Sequence, residues 1–93
     1  MINFPVYTQE SAPEGSQPLL DKTQQAYGLI PSLHGVMAQS PQLLEAYQAL
    51  TNLFIQSSLS KEQRHVVWLT VAVSHQCHYC VPAHCQIATL DGI

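Results

Sequence analysis

The residues of this chain that could do chemistry are concentrated in one short segment, Cys77-His78-Tyr79-Cys80-Val81-Pro82-Ala83-His84-Cys85. Two cysteines with two residues between them bring their sulfurs within disulfide reach across a single turn of chain. Such a small ring can open and close with little movement elsewhere. The C-x-x-C spacing of Cys77 and Cys80 therefore predicts thiol–disulfide redox chemistry.

A helix that begins inside this segment would activate one of the sulfurs. Pro82 indicates a helix start near Tyr79 or Cys80, because a proline in the first turn loses no intrahelical hydrogen bond. A cysteine in that turn has its thiolate, the nucleophilic form, stabilised by unpaired amides and the positive end of the helix dipole. His84 lies four residues after Cys80, on the same helical face, where its imidazole can take the thiol proton or pair with the thiolate. Cys77 is then the partner that closes the disulfide.

A zinc site is an alternative interpretation of the same residues. The cysteine pair and the following histidine supply three potential ligands, and a fourth could come from His78, His75 or His65. Structural zinc sites usually take a second ligand pair from a distant segment, whereas all three cysteines here lie within nine residues. A further alternative is that the cysteines only pack as small hydrophobic side chains.

The other cysteine and the remaining histidines are predicted to be less important. Cys85 falls off the face of His84, and we expect an inert buried thiol. His34 is predicted to lie at the surface or at the edge of the core, without a chemical role. His75 and His78 flank the cysteines and either tune the local redox potential or are exposed polar loop residues.

The elements that must position these residues are all predicted to be helices. Apolar spacing, the positions of proline and glycine, and capping residues predict these helices. The first three lie at about 18–27, where Gly28 ends the helix, at 32–38, and at 41–56, where Ser40 and Pro41 begin it. The last two cover about fifteen residues after Ser60 and the segment from 79 or 80 to 90–92. Ser60 and Gln63 have the spacing of a capping box, which favours helix over buried strand for the apolar run that follows. No strand pattern or repeat is present, so the predicted fold class is all-α, with an extended arm at 1–17 and a helical domain at 18–93.

Composition excludes several classes of function. The formal charge of −3 and pI near 5.8 leave no basic face for nucleic acid. The amino terminus has no signal-peptide pattern, and the apolar stretch after Arg64 is interrupted by Thr70 and Ser74, so neither secretion nor a membrane span is predicted. Three cysteines do not form a framework of structural disulfides, which favours a reducing cytoplasm.

The low content of charged residues predicts an oligomer. Only 10% of the residues are charged against 46% apolar in a chain of 93 residues. A domain of this size has a marginal core when it stands alone. Burying the apolar excess between subunits is the simplest remedy, so we expect a homo-oligomer.

The segment 62–73, EQRHVVWLTVAV, together with the C-x-x-C pair and His84, resembles the carboxymuconolactone decarboxylase superfamily, specifically its AhpD-like alkylhydroperoxidase branch. The earlier segments SAPEGSQPLL, YGLIPSL and SPQLLEAYQAL are similar to the helical lead-in of that family. A C-x-x-C-x-x-x-H element after an apolar helix is a much more specific signature than C-x-x-C alone.

The resemblance implies an all-helical, oligomeric protein with thiol peroxidase or disulfide reductase activity. By the family pattern, Cys80 attacks a hydroperoxide and becomes a sulfenic acid. Cys77 donates a proton and then resolves the sulfenic acid as a disulfide, and His84 joins the proton relay. An external dithiol system restores the pair. No bound organic cofactor is implied, and the chain has no glycine-rich phosphate loop.

Two positions depart from the family pattern. The family often has an acidic residue twelve positions before the first cysteine, where this chain has His65, with Glu62 the nearest carboxylate on the same helix. Either His65 carries the proton, or Glu62 does so from one turn earlier, or the relay is incomplete and the protein is a weak peroxidase. Tyr79 stands where the family often has histidine before the second cysteine.

Two other functions and two interpretations of the chain length are compatible with the sequence. A lactone decarboxylase with acid–base residues would not depend on a redox-active C-x-x-C, and a zinc-stabilised or purely helical oligomerisation module would need no catalysis. Many relatives continue well beyond the point where this chain stops at Ile93. We therefore expect either a natural short form or a fragment of a longer protein.

Overall fold

A computed structural model describes residues 4–93, and within this range every regular element is a helix. A 3₁₀ turn at Glu14–Ser16 precedes α1 (Gln17–Tyr27), α2 (Ser32–Met37), α3 (Pro41–Ile55), α4 (Lys61–Ser74) and α5 (Cys80–Leu90). The all-α prediction is confirmed. The chain divides into two compact units, an N-terminal unit that ends at Thr51 and a C-terminal unit, Asn52–Ile93, so the division falls inside α3.

The N-terminal unit is built on a small apolar core. Its buried members are Ala12, Leu20, Met37, Ala38 and Leu44. The predicted arm contributes to this core through Ala12, and the buried Ser16 donates a hydrogen bond from Oγ to the carbonyl of Ala38 at 2.7 Å. Residues 1–3 of the predicted arm lie outside the described residues, and the predicted domain boundary at 17/18 stays a prediction.

His34 is buried in the N-terminal unit, with 8% of its surface exposed, and is not at the surface. Its Nδ1 lies 3.1 Å from the hydroxyl of Thr23, which also accepts a hydrogen bond from the Gln48 amide at 2.9 Å. The rings of Tyr27 and Tyr47 meet His34 edge-on. Burial lowers the pKa of His34 below its ordinary value of 6.5. This environment supports a structural function for the imidazole.

Side-chain caps start the two central helices where the sequence predicts. At α3, the Leu43 amide donates to Ser40 Oγ at 3.3 Å. At α4, the Gln63 amide donates to Ser60 Oγ at 3.2 Å, and the Ser60 amide donates to Gln63 Oε1 at 2.9 Å. These reciprocal bonds satisfy two amides that the first turn leaves unpaired, so the predicted capping box is confirmed. The apolar run 66–73, which could have been a strand, is therefore helical.

The C-terminal unit places α4 and α5 against each other. They are joined by only five residues, 75–79, which include the first cysteine. Across residues 4–93, none of the helices combines the length and the apolar character that crossing a lipid bilayer requires.

Candidate functional site

The two cysteines of the C-x-x-C element are joined as a disulfide, with their Cα atoms 5.2 Å apart. Both are half-buried. Cys80 is the first residue of α5, as the position of Pro82 predicts. The pair therefore lies at the start of α5, and the turn that precedes this helix determines its direction.

That turn ends α4 and places Cys77. Gln76 adopts the left-handed conformation, with φ of 53°. Its amide donates to the carbonyl of Val73, and the amide of Cys77 donates to the carbonyl of Ala72, both at 3.0 Å. These two bonds are the Schellman arrangement, which satisfies carbonyls left over at a helix end. Cys77 is thus held by the last turn of α4 before α5 begins.

Cys77 also closes the first turn of α5. The amide of Cys80 donates to Cys77 Sγ at 3.1 Å, and the amide of Val81 donates to the Cys77 carbonyl at 3.1 Å. The sulfur of Cys77 thus accepts from an amide of the first turn, as a capping side chain does. Sequence reasoning assigned the stabilising amides to Cys80 and did not foresee that one of them points at Cys77.

His84 lies one turn after Cys80 and stacks on Trp68 of α4, with ring centroids 5.3 Å apart and planes 24° apart. Its Nδ1 is buried and has no hydrogen-bond partner among residues 4–93. Burial lowers the pKa of His84, and a charge on His65 would lower it further. The imidazole is therefore uncharged at neutral pH and able to accept a proton.

His65 is almost fully buried, with 1% of its surface exposed. Its Nε2 lies 2.6 Å from Oδ2 of Asp91, and its ring meets Trp68 edge-on with centroids 5.2 Å apart. Within the part of the chain that the structure describes, its buried Nδ1 has no hydrogen-bond partner. The structure thus brings His65 and His84 to the same tryptophan, which the sequence could not show.

Asp91 is the residue of this cluster that sequence reasoning missed. It follows α5 as the C-cap residue, where the sequence indicated only the end of a helix. Its partner His65 is 26 residues away in the chain. No local spacing connects the two, so no pattern in the sequence could have found the pair.

The other predicted candidates lie at the surface. Glu62 is exposed in the first turn of α4, and His75 and His78 are exposed. Cys85 is a free, exposed cysteine, so the prediction of a buried thiol is wrong. The buried face of α5 centres on Ala88 and His84, and Cys85 is turned about 100° from His84 around the helix.

The zinc interpretation finds no ligand cluster in the described part of the chain. Over residues 4–93, no group of three or more His, Cys, Asp or Glu side chains is arranged to hold a metal ion. Of the histidines that could complete such a site, His75 and His78 are exposed, and His65 is bound to Asp91.

Comparison with known families matches residues 41–93 to the model of the Carboxymuconolactone decarboxylase family. The matched segment contains α3, α4 and α5 and with them the cysteine pair, His65, His84 and Asp91. No curated protein matches the chain.

Proposed function

The chain belongs to the carboxymuconolactone decarboxylase family, because the matched segment covers more than half of the chain, and we propose a function within that family. The proposed function is that of a thiol-dependent peroxidase or disulfide oxidoreductase of the AhpD-like type. The observation that carries this proposal is the Cys77–Cys80 disulfide at the start of the helix that bears His84. A dithiol that closes within one turn of chain can be oxidised and reduced repeatedly without refolding of the helices.

The proposed oxidation has two steps. The thiolate of Cys80 attacks an oxygen of the hydroperoxide, the O–O bond breaks, and Cys80 becomes a sulfenic acid while the alkoxide takes a proton and leaves as an alcohol. The sulfur of Cys77 then attacks Cys80, forming the disulfide and releasing the oxygen as water. The two electrons that the peroxide receives come from the two thiols.

An external dithiol returns these electrons. A thiolate that opens a disulfide expels the sulfur whose negative charge is better stabilised. The amide of Cys80 already donates to Cys77 Sγ, which supports Cys77 as the leaving thiolate and Cys80 as the sulfur that forms the mixed disulfide. The same sulfur, Cys80, thus meets both the peroxide and the reductant. A reducing compartment such as the cytoplasm is the proposed location, since the cycle depends on this reductant.

The proposed proton carriers are the half-buried His84 and the buried His65. His84 is uncharged at neutral pH because burial lowers its pKa, so it can take the proton of the Cys80 thiol. His65 is the proposed substitute for the acidic residue of the family pattern, because it is buried and contacts Trp68 as His84 does. Glu62 is a weaker candidate for this role, because it is exposed to solvent in the first turn of α4.

Thiol titration tests the function directly. The fully reduced chain has three thiols, and one equivalent of hydroperoxide is expected to leave one. Cys80→Ser is expected to prevent the loss, because neither the sulfenic acid nor the disulfide can form. Cys85→Ser is the matched control, since it removes the exposed cysteine outside the pair and should still lose two thiols. Retention of all three thiols in the unaltered chain would discard the proposal.

We also propose that the chain forms a homo-oligomer. Large apolar side chains are exposed on α3, including Leu43 and Leu50, and on α4. We define the α4 valine face as Val66, Val67, Val71 and Val73. Each of these residues has between 40% and 63% of its surface exposed. Apolar surface of this extent on a small chain is typical of subunit contacts.

A further inference from the structure

The contact between His65 and Asp91 joins α4 to the residue that follows α5. Nε2 of His65 and Oδ2 of Asp91 are 2.6 Å apart, which is the length of a strong, charge-assisted hydrogen bond. His65 is fully buried, whereas 42% of the Asp91 side chain is exposed. One end of the pair therefore reaches water, and the other is buried beside Trp68.

Asp91 occupies a position that is unfavourable for a negative charge. It caps the carboxyl end of α5, where the helix dipole repels anions. Its backbone is held there by Gly92, in the left-handed conformation with φ of 82°, and by the amide of Ile93, which donates to the Ala88 carbonyl at 2.9 Å. Helix stability does not explain a carboxylate at this position, and the bond to His65 does.

The bond determines which nitrogen of His65 carries the proton. An ionised carboxylate only accepts hydrogen bonds, so Nε2 must donate to Asp91. In the neutral ring, Nδ1 is then unprotonated, and this is the atom that is buried without a partner. A buried nitrogen lone pair without a hydrogen-bond donor costs free energy. A role as proton acceptor would explain why the folded chain keeps such a group. Nδ1 of His84 is likewise buried without a hydrogen-bond partner among residues 4–93, and both rings contact Trp68.

We propose that Asp91 is a positioning residue of the proton relay, which holds His65 with its proton on Nε2 so that Nδ1 can take up a proton from the thiol pair. The inference rests on the proposed peroxidase function. When the Cys80 thiol ionises, its proton moves to the histidines, and it is returned to the alkoxide after the O–O bond breaks. Asp91 stabilises the imidazolium that exists between these two transfers. The carboxylate that the family pattern has on α4 is thus supplied in this chain from the end of α5.

The ring nitrogens of His65 provide a test that needs neither turnover nor a variant. Nitrogen-15 NMR of the oxidised chain is expected to show that the neutral His65 ring carries its proton on Nε2 and none on Nδ1. The titratable groups that act on it from α5 and its C-cap are His84 and Asp91. A neutral His65 ring that carries its proton on Nδ1 overturns the inference whatever the activity is.

Asp91→Asn tests the consequence for the rate. The amide can donate to Nε2, which moves the proton to Nδ1, so single-turnover loss of thiols after mixing with hydroperoxide is expected to slow by about 10- to 100-fold. The same variant is expected to show the changed tautomer by NMR, which a merely structural role would not produce. Asp21→Asn is the matched control, because Asp21 is an exposed carboxylate of the N-terminal unit that also accepts a hydrogen bond, from Gln9 at 2.7 Å.

The outcomes separate the inference from the function on which it rests. An Asp91→Asn variant that reacts as fast as the unaltered chain overturns the role of Asp91 and leaves the peroxidase proposal intact. An unaltered chain that does not consume hydroperoxide overturns the peroxidase proposal and, with it, the proton transfer. A slow Asp91→Asn variant beside a normal Asp21→Asn variant supports both.

Discussion

His34, which is buried, and His84, which is half-buried, lie in different units of the chain, and loss of water contact acts on both in the same direction. It lowers their pKa values below the ordinary 6.5, because the charged imidazolium loses its hydration. In the N-terminal unit this accompanies a structural imidazole bound to Thr23. In the C-terminal unit it keeps His84 uncharged and ready to accept a proton at neutral pH. The same physical cause thus has a structural result in one unit and a chemical one in the other.

These lowered pKa values predict how stability depends on pH. The unfolded chain binds more protons than the folded chain between the lowered pKa values and 6.5, so stability is fully present above 6.5 and is lost as the pH falls. We expect a smaller free energy of unfolding by urea at pH 5.5 than at pH 7.5. His34→Gln should reduce this difference, whereas His75→Gln, at an exposed position, should not. A free energy of unfolding that is constant or larger at pH 5.5 would contradict the prediction.

Among the elements, α4 and α5 position the site, and their ends are determined by specific turns. The capping box at Ser60 begins α4, a Schellman turn through Gln76 ends it, and a second turn through Gly92 ends α5. The turn at Gln76 positions Cys77, and the turn at Gly92 positions Asp91. The termini of the helices, more than their middles, therefore determine the geometry of the site.

Removal of the cap tests how much the start of α4 contributes. Ser60→Ala leaves the Gln63 amide without its acceptor, and we expect a loss of about 1 kcal/mol in the free energy of unfolding. Chemical denaturation measures it. Ser58→Ala is the matched control, because Ser58 is exposed and outside the capping box, and should change stability by less than about 0.5 kcal/mol.

The two left-handed residues should respond in opposite directions to substitution. Gln76 has a side chain at φ of 53°, so Gln76→Gly removes steric strain and is expected to stabilise the chain by about 1 kcal/mol. Gly92→Ala introduces the same strain at φ of 82° and is expected to destabilise it by about 1 kcal/mol. Thermal and urea unfolding of the two variants decide the sign, and a shift in the same direction for both would be inconsistent with the assigned turns.

At the scale of the whole molecule, the main feature is the amount of apolar surface left exposed. The buried apolar side chains are few, and most are alanine or leucine, whereas large apolar side chains are exposed on α3 and α4. A small core contributes little stability by itself. Association would bury this surface, which agrees with the low charge of the sequence.

The proposed association predicts a concentration-dependent mass. Sedimentation velocity is expected to show species larger than the 10.3 kDa chain at micromolar concentration. The double variant Val66→Gln and Val73→Gln, two turns apart on the α4 valine face, is expected to weaken association by about tenfold or more, because it places two amides in the contact. Thr70→Gln, exposed between them, tests whether any added bulk has the same effect. A chain that still sediments as a 10.3 kDa species at a concentration of roughly 100 μM would refute the oligomer.

The sequence by itself determined the helices, their starts and the cysteine pair. Ser60 with Gln63, Pro82 and the C-x-x-C spacing all act through neighbours three or four residues away, and such local interactions can be read from the order of residues. Only the tertiary structure decided which faces are buried and which distant residues meet. It buries His34, exposes Cys85, and joins His65 to Asp91 across 26 residues. These outcomes depend on how helices pack against each other, and no local periodicity contains that information.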